Sequence, residues 1–138
     1  MDLQLTHKNA LVGGSTQGIG KATAIALANE GANVTLIARN EEALKEVLSQ
    51  LPGPGQHSYM VADFSKPEEL EKTLKKENKF HILINNTGGP KSGLIHEAQV
   101  SEFQNAFNMH IVCNQIIVKA CLPFMKSDMV MTLSIPSA

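Results

Sequence analysis

Val12-Gly13-Gly14-Ser15-Thr16-Gln17-Gly18-Ile19-Gly20 joins a short apolar run, Lys8 to Val12, to a helical pattern with Ile19, Ala22, Ile25, Ala26 and Leu27 on its inner side. A strand that ends in a glycine-rich turn and enters a helix offers backbone N–H groups and the positive end of a helix dipole to a phosphate. Glycine at Gly14, Gly18 and Gly20 lets the backbone approach a pyrophosphate where a side chain would intervene. The stretch points to a dinucleotide site at the amino end of the chain.

Working outward, Gly31 closes the first helix, and Asn33 to Ala38 is a β-branched, apolar strand of the kind covered on both faces. Glu41 to Leu51 is helical, with Leu44, Val47, Leu48 and Leu51 inward, and Pro52-Gly53-Pro54-Gly55 breaks it. Gln56 to Val61 reads as a third strand. A helix opened by Ser65, with Pro67 in its first turn and Leu70 and Leu74 inward, follows. His81 to Asn85 is a fourth strand. One long helix runs from about Ser101 to Lys126, with Phe103, Ala106, Phe107, His110, Ile111, Asn114, Ile117, Val118, Cys121 and Leu122 at helical spacing, and Pro123 tightening its last turns. Strand alternating with helix predicts an α/β, doubly wound parallel sheet with helices on both faces. No boundary or repeat divides residues 1–138, so one domain is expected.

The 138 residues are 43% hydrophobic and 18% charged, which fits one globular domain. A net charge of −1 without a basic stripe argues against a nucleic-acid partner. Lys72-Thr73-Leu74-Lys75-Lys76 reads as a solvated helix face. No signal pattern and no bilayer-length apolar run is seen, so no membrane partner is expected. Cys113 and Cys121 share one helical pattern too far apart to pair, which suits a reduced, cytoplasmic protein. His7, His57, His81, His96 and His110 show no metal-ligand spacing, and no metal site is expected.

Gly-x3-Gly-x-Gly, Asp63 after the third strand, and Asn85-Asn86-Thr87-Gly88 after the fourth fall in the order of the short-chain dehydrogenase/reductase family. That family's signatures are Thr-Gly-x3-Gly-x-Gly and Asn-Asn-Ala-Gly, and the sequence most resembles its 3-oxoacyl-carrier-protein reductases. The resemblance covers residues 5 to 126, roughly the first half of a family member. It implies a Rossmann fold incomplete at its carboxyl-terminal side. By the same resemblance Gly14, Ser15, Thr16, Gln17, Gly18, Ile19 and Gly20 form the pyrophosphate turn, with Ile19 giving a backbone N–H. Asp63 accepts from the adenine amino group beside the backbone of Phe64, and Asn85, Asn86 and Gly88 shape the floor near the riboses. Asn108 matches the asparagine that helps hold a water in the proton relay to the catalytic lysine; the alternative is a helix residue paired with solvent. Gly13 stands where the family has threonine, and Thr87 where it has alanine. The Thr87 hydroxyl is expected to supply, from the opposite side, the tie that Gly13 removes.

At the end of the second strand, Ile37-Ala38-Arg39-Asn40 lacks the acidic residue that pairs with a 2′-hydroxyl. Arg39 can meet a 2′-phosphate and Asn40 can add a hydrogen bond, so NADP(H) is expected over NAD(H); otherwise Arg39 is a solvated residue opening the next helix. The family's Tyr-x3-Lys pair is absent. Tyr59 is followed four positions on by Asp63, and Ser137 is the only candidate for the family serine, from a loose match of Ile135-Pro136-Ser137 to the end of a fifth strand. All ten glycines lie at or before Gly93, and Ser127 to Thr132 lacks the expected glycine-bearing turn, which suggests a chain cut or frame disturbance there. The sheet is then expected to lack its last strands, and the 101–126 helix to pair in a homo-oligomer. The function implied is NADP(H)-dependent hydride transfer between nicotinamide and a small carbonyl or alcohol, including 3-oxoacyl thioesters. The alternative is a truncated nucleotide-binding module without catalysis.

Overall fold

The computed structural model describes residues 2–77, 79–89, 91–125 and 130–133. Its sheet is wholly parallel, in the order β3-β2-β1-β4-β5, with β1 Asn9–Gly13, β2 Asn33–Ala38, β3 Ser58–Val61, β4 Ile82–Asn85 and β5 Val130–Leu133. The helices are α1 Gly18–Asn29, α2 Glu41–Gln50, α3 Pro67–Leu74, α4 Val100–Phe107 and α5 Cys113–Cys121. Between α4 and α5 lies a π turn, Asn108–Val112, and after α5 a 3₁₀ turn, Leu122–Phe124, where Pro123 tightens the chain.

Successive strand residues face opposite layers, and both layers are apolar. Val12, Val34 and Leu36 pack with Ala24 and Ala28 of α1 and Leu44 and Val47 of α2. Their sequence neighbours Leu11 and Ile37, with Leu83 of β4, pack on the other face with Leu70 and Leu74 of α3 and Cys113, Ile117 and Cys121 of α5. The doubly wound sheet is therefore a direct product of short, nearly continuous apolar strands.

Three local expectations change. The third strand begins at Ser58, because side chains replace the ladder bonds ahead of it: Gln56 N–H donates to Asn33 Oδ1 (2.8 Å), and the His57 ring accepts from Val34 N–H of β2 (3.2 Å). Ser65 does not open α3. Its hydroxyl donates to Asp63 Oδ1 at 2.7 Å, and Lys66 precedes Pro67 at the helix start. The single helix expected over 101–126 is divided by the π turn. A fifth strand, Val130–Leu133, pairs with β4 from Ile82↔Val130 to Asn85↔Leu133, although residues 127–132 carry no glycine. Ser137 lies outside the described residues.

Gly13 does more here than omit a hydroxyl. A Cβ built on it would stand 2.5 Å from the carbonyl oxygen of Asn86. A threonine cannot occupy that position unless the β1 and β4 loops separate. Gly13→Ala is expected to cost about 1–3 kcal/mol as an overpacking change, read from urea midpoints; an unchanged midpoint would show that the loops part freely.

Candidate functional site

β1 lies between β2 and β4, and the chain leaves these two neighbours for opposite faces, so the carboxyl ends of the strands open into a crevice. The crevice is a cavity of about 710 Å³. Its walls come from the turn after β1 (Gly14, Thr16, Gln17, Gly18, Ile19), the end of β2 (Ala38, Arg39), the loop after β3 (Asp63, Phe64), and Asn86, Thr87 and Gly88 after β4. Ten residues singled out in the sequence therefore meet in one place: Gly14, Thr16, Gln17, Gly18, Ile19, Arg39, Asp63, Phe64, Asn86 and Gly88.

The turn owes its shape to its glycines. Gly14 and Gly18 have φ of +55° and +56°, which L side chains rarely adopt. Gly20 is not in the cavity wall; it packs against the Gly14 carbonyl, too close for any Cβ. Helix α1 begins with no side-chain cap and no acidic residue in its first turn, whereas α2 and α3 each start with two glutamates. The amino end of α1 thus points uncapped backbone donors at the cavity.

Ser15, Asn40 and Asn85 are placed differently. Ser15 is fully buried with its hydroxyl 3.5 Å from the Ile37 carbonyl. Asn40 caps α2, its Oδ1 accepting from Ala43 N–H at 3.0 Å. Asn85 is buried at the end of β4. The clasp between the β1 and β4 loops is Asn86, whose side-chain amide donates to the carbonyls of Gly13 (3.2 Å) and Gly14 (3.4 Å). Thr87 was expected to supply that tie. Instead its hydroxyl lies 2.6 Å from Nδ1 of His110 in the π turn.

Asn108 opens the π turn outside the cavity wall, to which this region contributes Asn105, Ala106 and Met109. The polar side chain of the turn that reaches the β4 loop is His110. The sequence pattern hid it among inward helix positions; its place four residues before Asn114, which donates to its carbonyl at 2.8 Å, was the available signal. Tyr59 is remote from this constellation and donates to Glu41 at 2.9 Å.

Asp63 accepts both the N–H (2.9 Å) and the hydroxyl (2.7 Å) of Ser65. Burial acts to raise its pKa, but these two bonds, with the Arg39 and Lys66 charges, leave it below the ordinary carboxylate value. Burial pushes His110 down. The Cys113 thiol donates to the Phe64 carbonyl at 3.1 Å, and burial with the Asp63 charge pushes it up to about 11, so it is a packing group rather than a nucleophile. Among the described residues no group of three or more His, Cys, Asp or Glu could hold a metal, and no helix is long and apolar enough to cross a membrane.

Residues 8–132 match the family model described as short chain dehydrogenase. The 7alpha-hydroxysteroid dehydrogenase of Clostridium sardiniense is 34% identical over 131 residues, covering 89% of this chain and 50% of that protein. An uncharacterized oxidoreductase of Schizosaccharomyces pombe is 36% identical over 123 residues, 83% of this chain and 36% of the relative. Among solved structures, the L-sorbose reductase of Gluconobacter frateurii, complexed with NADPH and L-sorbose, superposes with a TM-score of 0.82 at 26% identity, over 90% of this chain and 49% of that one. The chain spans about a third to a half of the length of these relatives.

Because burial lowers the His110 pKa in the fold, the unfolded chain, at about 6.5, takes up a proton first. The stability held by the neutral ring is complete above that value and is lost as pH falls from there through the folded-state pKa. The slope is at most about 1.4 kcal/mol per pH unit for one proton. Denaturation of the wild type and His110→Phe across this window is expected to differ in slope by that sign; parallel curves would contradict it.

Proposed function

The chain belongs to the short-chain dehydrogenase family, and from that membership we propose that its cavity holds NADP(H) for an oxidoreductase acting on a small carbonyl or alcohol. The observation that carries the reading is the cradle. Left-handed Gly14 and Gly18 bend the chain around the uncapped end of α1, and a Cβ at Gly18 or Gly88 would meet nothing within 4 Å, which leaves room for a ligand against both. That chemistry, backbone donors and open space without an acid in the first turn, fits a pyrophosphate.

In this reading the 14–20 turn binds the pyrophosphate, with Ile19 N–H among its donors. Asp63 keeps Oδ2 for the adenine amino group, since Ser65 occupies Oδ1. Arg39 forms no ion pair among the described residues and takes the 2′-phosphate. Asn40, whose oxygen is spent on Ala43, assists only through Nδ2. Gly88 borders the ribose. When bound, the nicotinamide exchanges a hydride with the carbonyl or alcohol carbon. The substrate class is a small carbonyl or alcohol, with 3-oxoacyl thioesters a member to be tested beside the sugar and steroid types acted on by the relatives. Ser137 is proposed to steady the reacting oxygen.

A second copy of the chain is proposed as partner. Phe103, Phe107 and Ile111 are 54%, 58% and 56% exposed and follow one another at i, i+4 and i+8. Phe107→Asp is expected to convert a dimer to a monomer in light scattering, and a wild-type monomer would remove the proposal.

Titration by NADPH fluorescence tests the cofactor. Arg39→Ala is expected to weaken NADPH by about 10- to 100-fold, the worth of a charge-assisted contact, with little change for NADH. Ala38→Asp is expected to swing preference toward NADH. Equal loss for both cofactors would count against the 2′-phosphate role of Arg39.

A further inference from the structure

The π turn carries a polar cluster that its own hydrogen bonds do not close. Cys113 N–H reaches back five residues to the Asn108 carbonyl, and the side-chain amide of Asn114 donates to the His110 carbonyl at 2.8 Å. A carbonyl only accepts, so that contact fixes the Nδ2 end of Asn114 and identifies Oδ1 as the other end. Asn114 Oδ1 is buried and makes no hydrogen bond, and the same holds for His110 Nε2 one helical turn before it. The opposite ring nitrogen, Nδ1, lies 2.6 Å from the Thr87 hydroxyl, and Thr87 lines the cavity.

The ring has two neutral forms. If Thr87 donates to Nδ1, Nε2 carries the hydrogen and needs an acceptor. If Nδ1–H donates to Thr87, Nε2 needs a donor. Asn114 Oδ1 needs a donor in either form. One water satisfies both atoms each time: it accepts from Nε2–H and donates to Oδ1 in the first, and donates to both in the second. Leaving two buried polar atoms unpaired is costlier than immobilising one water, and two polar partners are the fewest that hold such a water.

We propose that His110 Nε2 and Asn114 Oδ1 form a site for one buried water that holds the His110 ring in place, making His110 a positioning residue for the Thr87 hydroxyl at the cavity edge. The tautomer of the held ring decides what Thr87 presents. With hydrogen on Nε2, the Thr87 oxygen faces the cavity as an acceptor; with hydrogen on Nδ1, its hydroxyl is free to donate there. The consequence for a cofactor rests on the reading given under Proposed function, whereas the water site does not.

The test is ¹⁵N NMR of the histidine rings of the 138-residue chain, with water-to-ring cross-relaxation. The expected result is one slowly exchanging water at the His110 ring, with the tautomer read from the same spectra. Thr87→Ser should keep that water, and Asn114→Leu should release it. A ring with no bound water, or a direct Nε2–Oδ1 bond in its place, would overturn the proposal. In parallel, Thr87→Val is expected to weaken NADPH about fivefold and Thr87→Ser to leave it nearly unchanged. A bound water in a wild-type chain that does not bind NADPH refutes the cofactor reading and leaves the water site standing. NADPH binding with no water at the His110 ring does the reverse.

Discussion

One side-chain amide, that of Asn86, holds the carbonyls of Gly13 and Gly14 from across the sheet, and the site is arranged around that clasp. Backbone meets backbone there: a Cβ on Gly13 would stand 2.5 Å and one on Gly14 3.0 Å from the Asn86 carbonyl oxygen. The next layer repeats the constraint, since Gly20 of α1 rests on the Gly14 carbonyl. Three glycines therefore set how closely the β1 turn, the start of α1 and the β4 loop approach. With a side chain at any of them, the crevice at the strand ends would widen and the end of α1 would turn away from it.

The charges in the crevice are disposed consistently with this. Two carboxylates lie in its walls, and each has a partner: Asp63 is engaged by Ser65, and Glu102 by Gln99 N–H (2.7 Å) and Lys91 (3.1 Å). A phosphate entering beside α1 meets the helix's positive end and Arg39 rather than an uncompensated acid. The Lys91–Glu102 pair is largely exposed on the lysine side, so it contributes little to stability. Glu102 serves rather to join the start of α4 to the loop after β4.

Much of this was legible because it is written in local pattern. β2 has its expected bounds, Asn33–Ala38, since its apolar run is flanked by a glycine turn and by a capping asparagine. The glycine turn and the Asn85-Asn86-Thr87-Gly88 loop were legible as site components for the same reason. What sequence could not give were choices between partners in space. Ser65 looks like a helix cap until Asp63 is seen beside it; Thr87 looks like a tie for the turn until His110 is seen. Val130–Leu133 lacks the expected glycine ahead of it, yet it pairs along β4, whose open edge takes a strand through backbone bonds that need no particular side chain.

The π turn is required by arithmetic along the helix. At about 100° per residue, Phe103 and Cys121, about five turns apart, would point the same way in an unbroken α-helix. Yet Phe103 is 54% exposed and Cys121 fully buried. One extra residue in the turn rotates everything after it back by about 100°. Cys113, Ile117 and Cys121 then stand opposite Phe103, Phe107 and Ile111, so that one stripe enters the core while the other stays outside. The apolar positions read as a single stripe from Phe103 to Leu122 because a helical spacing drifts slowly and tolerates either phase. Two stripes on opposite sides require a break between them, and His110 sits at that break, where the widened turn carries its ring to Thr87.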